Sequence, residues 1–465
     1  MAVLALTAPA VAQESQFQAD LRREGEQIKE SCNELNVKAL GGCIVTLATA
    51  DPFHIAAGSL PPQNGIGLGL AFVEHYTPNE RWRISWNADA VNAFSGAWRA
   101  GAYLKIVHIP DEPPIGVRPA GGGSPANRVT IREYPVFNAY AQTISLDKLL
   151  FFGPGPGSVA SGKSVYGERQ TILGTSAIVP LSMASMAPSI DALRPSFVGA
   201  INGRFVDVRS NTSEDVPSTD AVYDDRSAPG LSQQPNFLQL EEGIRLKPSL
   251  LDDWLRLNYL VDFQQFLANE ASHSSFHRWT LDLRHDIPLY RNVSSTGPKD
   301  TNGPDECFQA VGSNTCPPIS TSRNRQGTAT LRFFTSSSSA GDGNSVPFYF
   351  QPTLGGSDLN GQRILAAFDD YRFRGPKAMA FQESVEHSIW GPFGVQVLAE
   401  QAKISDASGD FGASSSINSF ALGLTVRAGG FPVMSFSMAW GGGQRHFIGT
   451  MDSSLLGGSS RPSLY

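Results

Sequence analysis

From about residue 65 to the C-terminus an alternation of side-chain type with a period of two recurs along the chain, plainest between Arg81 and Ala90. Arg81, Arg83, Ser85, Asn87 and Asp89 hold the odd positions, and Trp82, Ile84, Trp86, Ala88 and Ala90 hold the even ones. Successive side chains of a β-strand point to opposite faces, so this strand has one apolar face and one polar, charged face. The split recurs downstream. Trp98, Ala100, Ala102, Leu104 and Ile106 oppose Arg99, Tyr103 and Lys105; Leu255, Leu257, Tyr259, Val261 and Phe263 oppose Arg256, Asn258, Asp262 and Gln264. Trp279, Leu281 and Leu283 oppose Arg278, Thr280, Asp282 and Arg284, and the rows of Phe420, Leu422 and Leu424 and of Phe436, Met438 and Trp440 continue the pattern. A charged face repeated over many strands does not line a sandwich interior. It fits a wall with hydrocarbon outside and water inside, the signature of a transmembrane antiparallel β-barrel. A soluble sheet with one solvated face competes, but it leaves rows crowded with Trp, Phe and Met in water.

Length agrees with an all-β barrel. Of 465 residues, roughly 400 divided by about 25 per strand and connection give about 16 strands, an even number. The alternation places them near 38–49, 65–76, 80–92, 97–109, 136–148, 165–181, 195–208, 235–247, 254–268, 275–287, 327–337, 377–389, 393–404, 417–428, 432–440 and 444–452. The first rests on parity, because export leaves the N-terminus in the periplasm and closed barrels have an even strand count. The 46 glycines and 31 prolines suit frequent turns. A charged fraction of 17% is low for a soluble surface, and no run of about 18 apolar residues exists to form a membrane helix. The net charge of −7, with no long basic run, argues against nucleic acid as a partner.

The chain begins with an apolar run, 1–12, ending in a small-x-small site, which reads as the later part of a secretory signal peptide. Residues 13–37, polar and helix-prone from Ser15 to Asn33, are expected to form a short periplasmic helix, leaving 38–465 for the barrel. Cys32 with Cys43 and Cys307 with Cys316 make two local pairs suited to disulfide-closed loops in an oxidising compartment. Zinc and free thiols are the competing readings. Gly391-Pro392 and 428–430 read as tight periplasmic turns; 152–163, 209–233 and 335–376 read as long outer loops. Tyr290–Arg325 reads as a long periplasmic insert that breaks this rule.

Signatures of catalysis are poor. Eight histidines are scattered, and His273 with His277 fall where a loop enters a strand rather than on a metal-binding helix face. There is no G-x-S-x-G elbow and no phosphate loop, and the prolines of 153–157 lack the N–H groups such a loop needs. Asp369-Asp370 and Glu383 with Glu386 offer paired carboxylates, which a solvated lumen wall also explains. A non-enzyme without metal or cofactor is expected.

The C-terminal third is more specific. Val346-Pro-Phe-Tyr-Phe-Gln-Pro-Thr-Leu-Gly-Gly356 leads into Asp369-Asp-Tyr-Arg-Phe-Arg-Gly-Pro376, followed by a strand, a tight turn and Val397-Leu-Ala-Glu-Gln-Ala-Lys403. This resembles the BamA/TamA superfamily of outer-membrane assembly and translocation barrels (the bacterial surface antigen family). The resemblance covers about 327–465. In that family a Leu-Gly-Gly stretch opens a long loop that folds into the lumen. A Val-Arg-Gly-Phe motif on it brings an Arg to an inner-wall Asp. It implies that Leu354, Gly355 and Gly356 open the loop, and that Glu400 stands for the wall carboxylate. Leu365-Ala-Ala-Phe368 falls on the Arg-bearing slot and lacks the Arg, so Arg363, Arg372 and Arg374 are the substitutes. Arg374, or else Arg363, is expected to pair with Glu400.

The family's assembly members carry periplasmic POTRA modules before the barrel; with about 50 residues ahead of the clear strands, none is expected in this stretch. The resemblance implies a barrel that helps insert or translocate proteins, or lipids, at the bacterial outer membrane. Its partners would be outer-membrane lipids and unfolded outer-membrane proteins or a periplasmic partner. A passive channel or surface antigen is the alternative. A lipid hydrolase is a third class, for which no Ser–His trio can be assembled.

Overall fold

The computed structural model describes residues 53–109, 134–181, 193–211, 213, 215–250, 255–269, 273–296, 320–405, 411, 416–428, 431–451 and 461–465. Apart from a two-stranded ladder of Thr353–Leu354 with Phe373–Arg374, its strands form one antiparallel sheet of seventeen, one being the two-residue Ser249–Leu250. The other sixteen are β1 (Phe53–Ser59), β2 (Ile66–Asn79), β3 (Trp82–Ala93), β4 (Trp98–His108), β5 (Val136–Phe151), β6 (Ser164–Pro180), β7 (Pro195–Ser210) and β8 (Phe237–Leu246). Then come β9 (Leu255–Ala268), β10 (Phe276–Thr296), β11 (Ser320–Ala340), β12 (Lys377–Trp390), β13 (Phe393–Ile404), β14 (Ile417–Ala428), β15 (Phe431–Gly441) and β16 (Gln444–Met451). Each pairs with its sequence neighbours, from β1 with β2 through β15 with β16. Among the described residues no ladder joins β1 to β16.

The two faces are those the alternation predicts. Trp86, Trp279, Leu424 and Phe436 are exposed on the outside, while Asp89, Arg99, Asp262, Arg278 and Thr425 are buried inside. Exposed rings gather toward both rims: Tyr76, Trp82, Trp390 and Phe393 beside the short turns, Trp279, Phe420 and Trp440 toward the long loops. Such aromatic girdles mark where a barrel meets the two bilayer interfaces.

Three expectations about the strands need correction. The strand paired with β2 is Phe53–Ser59, not 38–49, which lies outside the described residues. Its Ala56-Ala57-Gly58 core is too small to show a clear alternation. Tyr290–Arg325 is not all insert: β10 and β11 run 21 residues each and pair out to Thr296 with Ser320, a hairpin arm longer than its neighbours. The polar run Thr335–Ser339 continues β11 against Phe276–Leu281, because neighbouring strands supply the ladder that its composition does not advertise. The signal peptide, the N-terminal helix and all four cysteines, Cys32, Cys43, Cys307 and Cys316, lie outside the described residues.

The bore is not simply aqueous. Toward the long-loop rim Phe348, Tyr349 and Phe350 pack with Phe151, Phe152, Tyr166, Phe237, Phe266 and Phe276 in a fully buried aromatic cluster. Sequence alternation misses this because the cluster is built by a loop turning inward onto strand ends. Glu383 and Glu386 are not a pair: Glu386 faces inward, where it accepts from Thr425 Oγ1 at 3.1 Å, and Glu383 stands exposed on the outer face at mid-strand. Asp369 and Asp370 also diverge, one beside His446 (3.8 Å), the other accepting from Gln63 (2.7 Å).

A lipid-facing carboxylate is destabilising, by less than the ~2–4 kcal/mol of a mid-membrane Arg or Lys. Glu383→Leu is therefore expected to raise the urea stability of vesicle-embedded protein by about 1–2 kcal/mol. Unchanged or lowered stability would show that this row does not touch lipid.

Candidate functional site: the loop folded into the lumen

Between β11 and β12 the chain turns into the lumen and builds a small folded unit. Pro347 starts a 3-10 turn over Phe348–Phe350, held by Phe350 N–H to Pro347 O (3.0 Å), with Phe348 N–H donating to Pro229 O (2.8 Å) on the neighbouring loop. Thr353–Leu354 then pairs antiparallel with Phe373–Arg374. Between these legs the backbone doubles back at Gly355 and Gly356, which have φ of 100° and 58°. A Cβ on Gly355 would lie 2.6 Å from Arg372 Cβ and 2.8 Å from Asp369 O. Only glycine fits this crossing, so the Leu-Gly-Gly opening read from sequence has a steric cause. Gly355 and Gly356 donate to Ile364 O (3.0 Å) and Leu365 O (3.2 Å), and Tyr371 N–H returns to Gly355 O (3.0 Å).

The wall beneath the loop is made of small side chains. Leu354, Ile364, Leu365 and Phe373 pack on Ala378, Ala380 and Ala402; Ala366 and Ala367 pack on Ala421 and Ala439. Small inward residues on β12 to β15 let the loop main chain approach the sheet. Close approach brings its amides within reach of two wall side chains. Glu400, 4% exposed on β13, accepts from Ala366 N–H at 2.6 Å. Ser419, on β14, accepts from Ala367 N–H at 3.0 Å.

This corrects the expected lock. Arg374 does not meet Glu400. Its buried guanidinium donates to Phe348 O (2.6 Å) and to Tyr166 OH (3.1 Å), with the Phe151, Tyr166 and Phe348 rings 5.5–5.9 Å away. Arg374 O accepts from Gly155 N–H at 2.6 Å. Arg374 therefore ties the loop to β6, seven strands from β13 and across the lumen. Arg372 reaches Ser158 Oγ and O, both at 2.7 Å, between the rings of Phe152 and Phe373. Arg363 makes no ion pair with Glu400, although burial lowers its pKa and the carboxylates of Asp370 and Glu400 oppose that shift. Burial likewise raises the Tyr371 phenol. The slot expected to carry an Arg is Ala366, and its main-chain N–H makes the contact instead. Leu365, at φ 62°, turns that amide toward the wall.

Sequence reasoning missed a polar relay behind Glu400. Asp282 holds Arg332 through two contacts of 2.9 and 2.7 Å. Arg332 donates to Gln382 Oε1 (3.1 Å) and to Gln362 Oε1 (2.8 Å) on the loop. Gln382 Nε2 donates to Glu400 Oε1 (2.7 Å) and to Arg363 O (2.9 Å). The inward parity of Arg332, Gln382 and Ser419 is legible in the sequence, but their meeting depends on which strands lie side by side. The arrangement immobilises a loop: among the described residues no group of metal-ligating side chains comes together.

No family model matches the sequence, and no curated protein matches it. Among solved structures the chain is similar to CdiB from Acinetobacter baumannii, at 10% identity over 84% of this chain and 56% of that one, with a TM-score of 0.43. It is also similar to BamA from Haemophilus ducreyi lacking POTRA domains 1–3, at 10% identity over 86% and 70%, TM-score 0.46. CdiB from Escherichia coli aligns at 11% identity over 93% and 69%, TM-score 0.42. The chain spans 56% of the length of the Acinetobacter protein.

Glu400→Ala leaves the Ala366 N–H unpaired in a buried site, a cost of about 1–3 kcal/mol. In double-mutant cycles read by urea unfolding in vesicles, Glu400 should couple to Gln382 by at least ~0.5 kcal/mol and to Arg374 by less than that. The reverse ranking would restore the arginine lock.

Proposed function

We propose that this chain is an outer-membrane barrel of the BamA/TamA type that assists insertion or translocation of polypeptides, and that it is not an enzyme. The observation that carries this reading is that, among the described residues, no ladder joins β1 to β16, while every other pair of successive strands is laddered. The two end strands are short, seven and eight residues, against the fourteen of β2. In hydrocarbon an unzipped edge costs several kcal/mol for each unpaired main-chain group. An incoming strand that pairs with the edge removes that cost, as in β-augmentation. The filled lumen is consistent with this reading and disfavours the passive channel: a polypeptide or lipid would enter sideways, at the edge, rather than through an open bore. The partners this implies are outer-membrane lipids and unfolded outer-membrane proteins, delivered by a periplasmic partner.

The test is a folding assay. A urea-unfolded eight-stranded barrel is diluted onto vesicles with and without the reconstituted protein. The proposal expects client folding to be at least several-fold faster with it. Equal rates, with the protein itself folded by heat-modifiable gel migration, would overturn the proposal.

A further inference from the structure

Residues 461–465 stand inside the lumen, where no strand pattern predicts them. Arg461 pairs with Asp89 of β3 at 2.7 Å, joining the contact Asp89 makes with Arg99 at 3.1 Å. Leu464 is buried in the aromatic cluster, and Tyr465 packs against it. Tyr465 OH lies 2.8 Å from Thr353 Oγ1 of the in-folded loop. Asn360 brackets the segment from that loop, accepting from Leu464 N–H (2.8 Å) and donating to Ser463 Oγ (3.0 Å). From the wall, Gln170 of β6 donates to Leu464 O (3.3 Å), and Arg204 of β7 donates to Ser463 O and Tyr465 O (both 2.9 Å). The segment thus bridges β3, β6, β7 and the loop.

Arg204 identifies the kind of site. It is 1% exposed, with the Phe266 and Phe350 rings 5.8 Å from its guanidinium carbon. Its remaining hydrogen bond goes to Gln239 Oε1 (2.6 Å), so none of its acceptors is a carboxylate side chain. A buried cation needs acceptors, and here two of them are main-chain oxygens of 461–465, on Ser463 and Tyr465. Gln170 and Asn360 also read the main chain. Such contacts depend little on sequence, apart from the apolar seat taken by Leu464 and Tyr465.

We infer that Arg204, Gln170 and Asn360 form a lumenal binding site for a short peptide segment, which residues 461–465 occupy in cis and from which they can be displaced. The ligand class is a short peptide with an apolar pair at the positions of Leu464 and Tyr465. This inference concerns what fills the lumen and does not depend on what the barrel inserts.

Full-length protein in nanodiscs tests it, with a fluorescein-labelled peptide of sequence Arg-Pro-Ser-Leu-Tyr read by anisotropy. Leu464→Asp with Tyr465→Ala should release the cis segment, and that variant is expected to bind the peptide at least tenfold tighter than the unaltered chain. Arg204→Lys added to it keeps the charge but loses the forked donor, and should weaken binding about tenfold. If that variant does not fold, as judged by heat-modifiable migration, Asn360→Ala on the exposed loop turn takes its place, with an expected loss of threefold or more. A peptide carrying Asp at the Leu position should bind at least tenfold more weakly. The site is refuted if the folded, released variant binds no better than the unaltered chain, or if it binds the Asp peptide equally well.

Discussion

A main chain that turns into the lumen and is buried there must find an acceptor for each amide it buries, and the rest of this structure follows from how that is done. The loop between β11 and β12 supplies many of its own bonds, through the Thr353–Leu354 and Phe373–Arg374 ladder and the Gly355–Gly356 crossing. Two further amides, at Ala366 and Ala367, go to Glu400 and Ser419 on the wall. For those contacts the wall must be close, which is why Ala378, Ala380, Ala402, Ala421 and Ala439 stand beneath the loop. Arg374 then fastens the opposite side, by a carbonyl and a phenol rather than a carboxylate. The loop is clamped between two walls, and the aromatic turn Phe348–Phe350 closes the space above it.

The outer surface obeys a simpler constraint. Hydrocarbon accepts apolar side chains and no unpaired main chain, so the outward rows are apolar and the sheet is laddered almost throughout. The exceptions are informative. Glu383 sits on the outward row of β12, and among the described residues no ladder joins β1 to β16. A barrel selected only for stability would carry neither.

Much of the fold was legible in the sequence because a period of two is a local signal. Fifteen of the sixteen strands lie where Trp, Leu and Phe alternate with Arg, Asp and Ser, many within one or two residues. Phe53–Ser59 was not legible, because alanine and glycine on both faces leave no contrast. The arm of β10 and β11 and the serine run of β11 are held by their partners, which no single-strand pattern reveals. In the lumen, the Leu-Gly-Gly opening and Glu400 could be read from residues, while the partner of Glu400 could not. A main-chain amide has no letter in the sequence. The Arg332–Gln382 relay and the docking of 461–465 depend in the same way on which strands face each other across the bore.

The claim on which the account turns is that the lumen is filled by its own loop. Single-channel recording in planar bilayers tests it most directly, comparing the unaltered protein with one in which a short Gly-Ser linker replaces residues 346–374. The account predicts a closed or barely conducting unaltered barrel, and large steady openings once the loop is removed. A stable open pore in the unaltered protein, unchanged by removing the loop, would contradict it.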